Sequence, residues 1–259
     1  MNYPPRHRRI EELLSSQGNC SVADLARECH VSAMTIRRDL QALAAAGRVL
    51  RTHGGATPVE QVMFEFHFLQ RARVQESSKL GIARTAAGLV KDGQSVMMDS
   101  GTTTLAVARE LRDRRSVTVI TTSLPIAAAL QHAPGVEVLI LGGVLRRGSP
   151  DLLGALTEQN LENLHADLAF IGADAIDLEG NVYNQCPEMA RMLRRMAQAT
   201  SAVYAVVDSS KIGKTALVRF GNASGWAGLI TDPGITSAQS RSLKTAGLKL
   251  LMTPLNGAG

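Results

Sequence analysis

Two groups of residues in this chain of 259 residues have types and spacing that could do chemistry. The first is the pair Arg37-Arg38, preceded by Ser32, Met34 and Thr35. A guanidinium is a planar fork of donors that can grip a guanine edge or a backbone phosphate with two hydrogen bonds. The second is a series of polar runs, each following an apolar stretch. They are Asp99-Ser100-Gly101-Thr102-Thr103, Thr121-Thr122, Gly142-Gly143, Asp174, Asp208-Ser209-Ser210-Lys211 and Thr231-Asp232. Amides and hydroxyls at the start of a helix, with a lysine nearby, suit an anionic group, and phosphate is the natural guest. The nucleotide-binding pattern GxxxxGK followed by Ser or Thr is absent.

The arginine pair needs a helix that leaves it outside. Ser32 is an N-cap residue, since its hydroxyl can accept an unpaired first-turn amide. Ile36, Leu40 and Leu43 then fall at i, i+4 and i+7 and define one buried face. Met34, Thr35, Arg37, Arg38 and Gln41 remain on the other side. Upstream, Ile10, Leu13 and Leu14 mark a first helix over residues 6–16, and Ser21 opens a short second one through Leu25 and Ala26. Glu28-Cys29-His30 is the turn between the second helix and the third. Gly47 ends the third helix, and Val49-Leu50-Arg51 with Gly54-Gly55 reads as a small hairpin, from which Arg51 and His53 reach flanking phosphates or the minor groove. This is the pattern of a winged helix-turn-helix, and its partner is double-stranded DNA. The bland alternative is a solvated helix face with Asp39 as the local partner of the arginines; the three-helix pattern and the wing argue against it.

Past Thr57 the pattern changes. Phe64, Phe66 and Phe68 alternate beside Arg71 and Arg73, which suggests an extended arm. From Lys79 onward, apolar strands alternate with amphipathic helices. Strands are expected at 93–98, 117–122, 136–141, 166–172, 201–207, 227–231 and 248–252. Helices are expected at 103–111, 125–131, 156–164, 187–199 and 237–246. Near-continuous apolar strands separated by helices indicate an α/β fold with a mostly parallel sheet covered on both faces. Such sheets bind ligands just beyond the carboxyl ends of their strands, which is where the polar runs fall. Glu188, at the start of one helix, is a further carboxylate able to accept a ligand hydroxyl.

Composition narrows the classes. The net charge of +5 is moderate, and residues 1–57 hold eight Arg, no Lys and five acidic residues. Cys20, Cys29 and Cys186 form no CxxC pair, which argues against a disulfide framework or structural zinc and for a reducing, cytoplasmic setting. His132 and His165 lack neighbours at metal spacing, so no metal and no cofactor is expected. No apolar run approaches the ~20 residues needed to span a bilayer, so no membrane partner is expected.

Residues 6–56, with TIRRDL followed by HGGA, resemble the DNA-binding domain of DeoR-type (deoxyribose-operon repressor) transcription regulators. DSGTTT, VITTS, LGG, FIGAD, PEMARMLRRM and VDSSK resemble that family's effector domain, which is similar to ribose-5-phosphate isomerase. The resemblance implies a winged helix-turn-helix over 1–57, a linker arm over 58–78 and an effector and oligomerisation domain over 79–259. It implies a regulator, most simply a repressor of a carbohydrate operon, released by a phosphorylated sugar or polyol and working as a homodimer or homotetramer. DNA contacts then fall to Ser32, Met34, Thr35, Arg37, Arg38, Arg51 and His53. Effector contacts fall to Asp99, Ser100, Gly101, Thr102, Thr103, Thr121, Thr122, Gly142, Gly143, Asp174, Glu188 and Lys211. Thr122 and Ala175 depart from the family's usual Asn and Gly and bear on which sugar is held. The alternative is a sugar-phosphate isomerase-like enzyme with an accessory DNA-binding domain, with Asp99, Glu188 or Lys211 moving the proton.

Overall fold

Apolar residues at helical spacing build the first part of the chain in the computed structural model, which describes residues 4–52, 54–58, 68 and 70–254. Helices α1 (Pro5–Gln17), α2 (Val22–Glu28) and α3 (Ala33–Ala45) close over Ile10, Leu13, Leu14, Leu25, Ile36, Leu40 and Leu43. Strand β1 (Cys20–Ser21) precedes α2, and β2 (Val49–Arg51) and β3 (Gly55–Pro58) follow α3. The three strands form one antiparallel sheet in the order β1-β3-β2. Gly47, at φ +69°, turns the chain out of α3. Gly55 has no alternative, because a Cβ there would sit 1.9 Å from the Cys20 carbonyl oxygen.

The chain divides into two units, Met1–Gln70 and Arg71–Gly259. The extended arm expected around the phenylalanines is corrected where it can be seen. Residue 68 and residues 70–73 are helical, and Phe68 is buried. Gln70-Arg71-Ala72-Arg73 are strong helix formers, and that preference outweighs the alternation. Phe64 and Phe66 lie outside the described residues.

The second unit runs α4 (Glu76–Leu89), β4 (Ser95–Met98), α5 (Thr102–Glu110), β5 (Val117–Thr121), α6 (Leu124–Leu130) and β6 (Val136–Ile140). A hairpin of β7 (Val144–Leu145) and β8 (Leu152–Leu153) follows. Next come α7 (Ala155–Glu162), β9 (Ala166–Ile171), β10 (Ala175–Ile176), β11 (Asn181–Asn184), α8 (Pro187–Gln198) and β12 (Thr200–Val206). The unit ends with β13 (Val218–Asn222), β14 (Gly228–Thr231), α9 (Ser237–Thr245) and β15 (Leu250–Met252). Seven strands form the main sheet in the order β15-β14-β12-β9-β4-β5-β6, and every neighbouring pair is parallel.

This sheet is the mostly parallel one expected. Its core sets Met97, Ala169, Ile171, Val203 and Ala205 against Met189, Met192, Leu193 and Met196, the i, i+3, i+4, i+7 face of α8. A small antiparallel sheet, β10-β11-β13, was not legible in sequence. Its strands are only two to five residues long, AI, NVYN and VRFGN, too short for a pattern to mark them. The strand order reverses at β4: β5 and β6 lie to one side, and β9, β12, β14 and β15 to the other.

Candidate functional site

In the first unit the sequence-derived helix cap is present: the Ser32 hydroxyl accepts the Thr35 amide at 3.2 Å. Met34, Arg37 and Arg38 are exposed along the outer face of α3, and Arg51 is exposed on β2. His53 lies outside the described residues. Asp39 does not serve the neighbouring arginines. It falls on the buried face of α3, where Arg6 donates to it at 2.6 and 3.0 Å and the His7 ring lies 3.0 Å away. Burial alone would raise its carboxyl, but the Arg6 and His7 hydrogen bonds win and hold it below the usual carboxylate range. Arg37 and Arg38 form no ion pair among the described residues. The result is a rigid helix presenting two exposed, unneutralised guanidinium groups.

In the second unit a cleft of about 410 Å³ opens at the carboxyl ends of β4, β9 and β12. This is the point where the strand order reverses, the usual place for a ligand in such sheets. Seven of the expected ligand residues line it: Asp99, Ser100, Gly101, Thr102, Thr103, Asp174 and Lys211. Gly101 is the N-cap of α5 and no side chain caps that helix, so its first-turn amides face the cleft without an internal partner. Ser123 caps α6 and Thr236 caps α9, whereas α4, α7 and α8 also lack a side-chain cap.

Asp99 is buried and accepts the Gly101 amide at 3.2 Å and the Gly172 amide at 3.1 Å. Burial nonetheless pushes its carboxyl up, and nearby Asp151 adds to the rise. Asp174 accepts the Gln185 amide at 2.9 Å, which ties the β10 entry to the loop before α8. The Asp208 side chain caps the short turn of residues 209–211 through the Ser210 amide at 3.1 Å, and this places Lys211 on the cleft.

The other five expected residues are not brought to the cleft. Thr121 ends β5, Thr122 follows it, and Gly142-Gly143 follow β6, on the far side of the reversal point. The Thr121 hydroxyl donates to the Met98 carbonyl at 2.9 Å and accepts the Ser123 amide at 3.1 Å, a link between the carboxyl ends of β4 and β5. Thr122 is buried, and its hydroxyl has no partner among the described residues. The Gly142 carbonyl accepts the Thr157 hydroxyl at 2.6 Å, and a Cβ on Gly143 would sit 2.2 Å from that hydroxyl, so this pair is a packing turn against α7. Glu188 is exposed on the first turn of α8, where the Cys186 thiol donates to it at 3.2 Å.

Three cationic residues of the cleft were missed: Arg71, Lys79 and Arg146. Arg146 donates to both oxygens of the fully buried Asp151 at 2.8 and 2.7 Å and to the Ser149 hydroxyl at 2.6 Å. Asp151 also accepts the Ser100 hydroxyl, so one carboxylate holds both the arginine and the loop after β4. The run Leu145-Arg146-Arg147 announced basic residues, but nothing in its spacing told which arginine turns inward. Lys79 is buried, and its ammonium donates to the carbonyls of Val74, at 2.7 Å, and Arg71. Burial pushes that ammonium down from the usual lysine range. Its place three and four residues before Ile82 and Ala83, on the buried face of α4, was the one available signal.

A helix-turn-helix with a wing, joined to an α/β unit holding a polar cleft lined by four cations and three carboxylates, defines a class: a DNA reader coupled to a small-molecule sensor. The family follows from comparison. The DeoR-like helix-turn-helix domain matches residues 6–62 and the DeoR C terminal sensor domain matches residues 74–233, so the chain belongs to the DeoR family. It is 34% identical to the HTH-type transcriptional regulator GlpR of Haloferax volcanii, over 95% of this chain and 96% of that protein. It is 33% identical to the HTH-type transcriptional regulator GolR of Listeria innocua, over 94% and 96%. With the glycerol-3-phosphate regulon repressor of Escherichia coli the identity is 32%, over 90% and 92%. The chain is similar in part to ribose 5-phosphate isomerase A from Methanocaldococcus jannaschii, at 22% identity over 53% of this chain and 54% of that one, TM-score 0.40. The chain is a DNA-binding transcriptional regulator and not an enzyme, so the isomerase alternative falls. No described helix is long and apolar enough to cross a membrane.

Proposed function

We propose that this regulator is a cytoplasmic repressor of a carbohydrate-use operon, and that a phosphorylated sugar or polyol releases it from its operator. The observation that carries the effector half is the cleft: an uncapped helix N-terminus faces Lys79, Arg146 and Lys211, with carboxylates beside them. Amides and cations suit a phosphate dianion, while Asp99, Asp174 and Asp208 suit the hydroxyls of a polyol. The name of one relative, a glycerol-3-phosphate regulon repressor, fits the same chemistry.

In this reading Ser100, Gly101, Thr102, Thr103 and Lys211 hold the phosphate, with Arg146 positioned by Asp151. Arg37 and Arg38 carry operator affinity, Met34 and Thr35 lie nearest the bases, and Ser32, Arg51 and His53 position the backbone. A single winged module is a small reader, so two or four copies bind a two-fold operator. A hundredfold release requires about 2.7 kcal/mol of coupling between sites, within the usual range.

The test is a thermal shift of the full chain with glycerol 3-phosphate against glycerol. A ligand at a hundred times its dissociation constant adds about 2.7 kcal/mol. The phosphorylated compound is expected to raise the Tm of the wild type and not of Thr102→Ala or Lys211→Ala, while glycerol has no effect. Equal shifts with glycerol and with its phosphate would remove the phosphate from the reading.

A further inference from the structure

Among the described residues the main sheet of the second unit ends in β15 at one edge and in β6 at the other. The outward backbone amides and carbonyls of β6 have no partner strand among those residues. Natural edges are guarded by charges, prolines, bulges or brevity. β6 is five residues long, VEVLI, with Glu137 its one charged residue and no proline. Its apolar side chains are not covered either. Leu139, Ile140, Val144, Leu145 and Leu156, with Leu124 at the start of α6, are between 39% and 74% exposed.

Leu139 and Ile140, consecutive in β6, face opposite sides of the sheet and both flank its edge. Ile140 leads through three residues to Val144, and Leu156 lies 3.6 Å from where a Gly142 Cβ would be. The start of α6 meets the same hairpin, since Leu124 donates its amide to the Pro150 carbonyl and Ser123 bridges Asp151. A shallow groove between α6 and β6, floored by Ala127, Ala128 and Val138, continues the apolar surface.

We propose that this edge, with the β7–β8 hairpin and the first turn of α7, is where a second copy of the chain docks, β6 against β6. The proposal rests on the two-copy reading of operator binding and supplies its surface. Self-pairing is favoured because a two-fold axis normal to the sheet sets identical edge strands antiparallel and lets each satisfy the other's open backbone groups. Six large apolar side chains at this exposure offer on the order of several hundred Å², the scale of the apolar centre of an interface of roughly 800 Å² per partner. Val144 and Leu145 directly precede Arg146, so the docking surface adjoins the cleft and a ligand there bears on the association.

The experiment is sedimentation equilibrium of the full chain, wild type and the double variant Val144→Glu, Leu156→Glu, whose positions are 74% and 56% exposed. Circular dichroism establishes that the variant is folded. The wild type is expected to associate at micromolar concentration, and the variant's dissociation constant to rise at least a hundredfold. Hydrogen exchange supplies a readout without substitution: amides 136–140 of the wild type should exchange at least tenfold more slowly in the associated than in the diluted protein. If the wild type associates but the variant matches it and those amides are indifferent to concentration, another face pairs the copies; the proposal is overturned and the two-copy reading stands. A wild type that is monomeric at about 100 μM overturns both.

Discussion

Asp39 in the reader and Asp99 in the sensor are both buried carboxylates, 7% and 6% exposed, and they are displaced in opposite directions. Asp39 meets Arg6 and His7 and is held low; Asp99 meets two backbone amides and the Thr104 hydroxyl but no cation, and burial pushes it up. The first is a clamp, joining α1 to α3 from behind so that Arg37 and Arg38 stay rigid and unpaired in front. The second has no cation within ion-pair distance among the described residues, and it sits on the wall of a cleft. A buried carboxyl left without a cation is an uncompensated cost to the fold, and a ligand hydroxyl is a natural way to offset it. The reader uses its buried charge for stiffness, and the sensor leaves its own for a guest.

Asp151 is the strongest way to break this contrast, because it is the sensor's own clamp. Fully buried, it holds Arg146, Ser149 and Ser100. Asp151→Ala leaves a partly buried guanidinium and a buried hydroxyl without their partner, and removing one member of such a pair costs about 3–5 kcal/mol. Urea unfolding followed by the fluorescence of Trp226, the only tryptophan in the chain, should show that loss in the second unit. A change under 1 kcal/mol would mean that Asp151 is not a clamp.

The reader's side of the comparison is tested on the unpaired arginines. Arg37→Ala and Arg38→Ala should each cost about 1–3 kcal/mol of operator affinity at fixed salt, with no loss of fold. A base contact loses affinity at one operator position, whereas a phosphate contact loses it on every sequence. An operator titration unchanged in the double variant would show that the exposed face is only solvated.

The smallest effect sharpens the comparison through pH. Asp39 has a lowered folded pKa, so its contribution is complete above the unfolded value of 3.8 and is lost as pH falls through the folded value. Asp99 has a raised folded pKa, so its contribution is complete below 3.8 and is lost as pH rises through the folded value. Acidification should therefore loosen the α1–α3 amides of the reader while relieving the sensor at Asp99. Hydrogen exchange resolved by unit checks this, and parallel trends in α1–α3 and in the loop after β4 would contradict it.

Much of the reader was legible in sequence because its information is local. The Ser32 cap, the Ile36-Leu40-Leu43 face and the Gly47 exit are each set within a few residues, where helix geometry and glycine's freedom decide. The alternation of apolar strands with helices likewise marked a parallel sheet, and the polar runs after β4, β9 and β12 marked the cleft. What spacing could not tell is which strand ends face the ligand. Thr121-Thr122 and Gly142-Gly143 look as polar as Ser100-Gly101-Thr102, but strand order puts them beyond the reversal point, where they pack.

The sequence by itself determined the helical faces, the caps, the layered α/β class and the family. Tertiary structure alone decided the partners of the charges. Asp39 reaches back to Arg6 rather than to the arginine beside it, Asp151 gathers Arg146 and a serine 51 residues upstream, and Lys79 turns into the cleft. The reason is physical. A helical face depends on the identities of residues three and four apart, whereas a buried charge takes whatever hydrogen-bonding group the packing of distant segments brings to it.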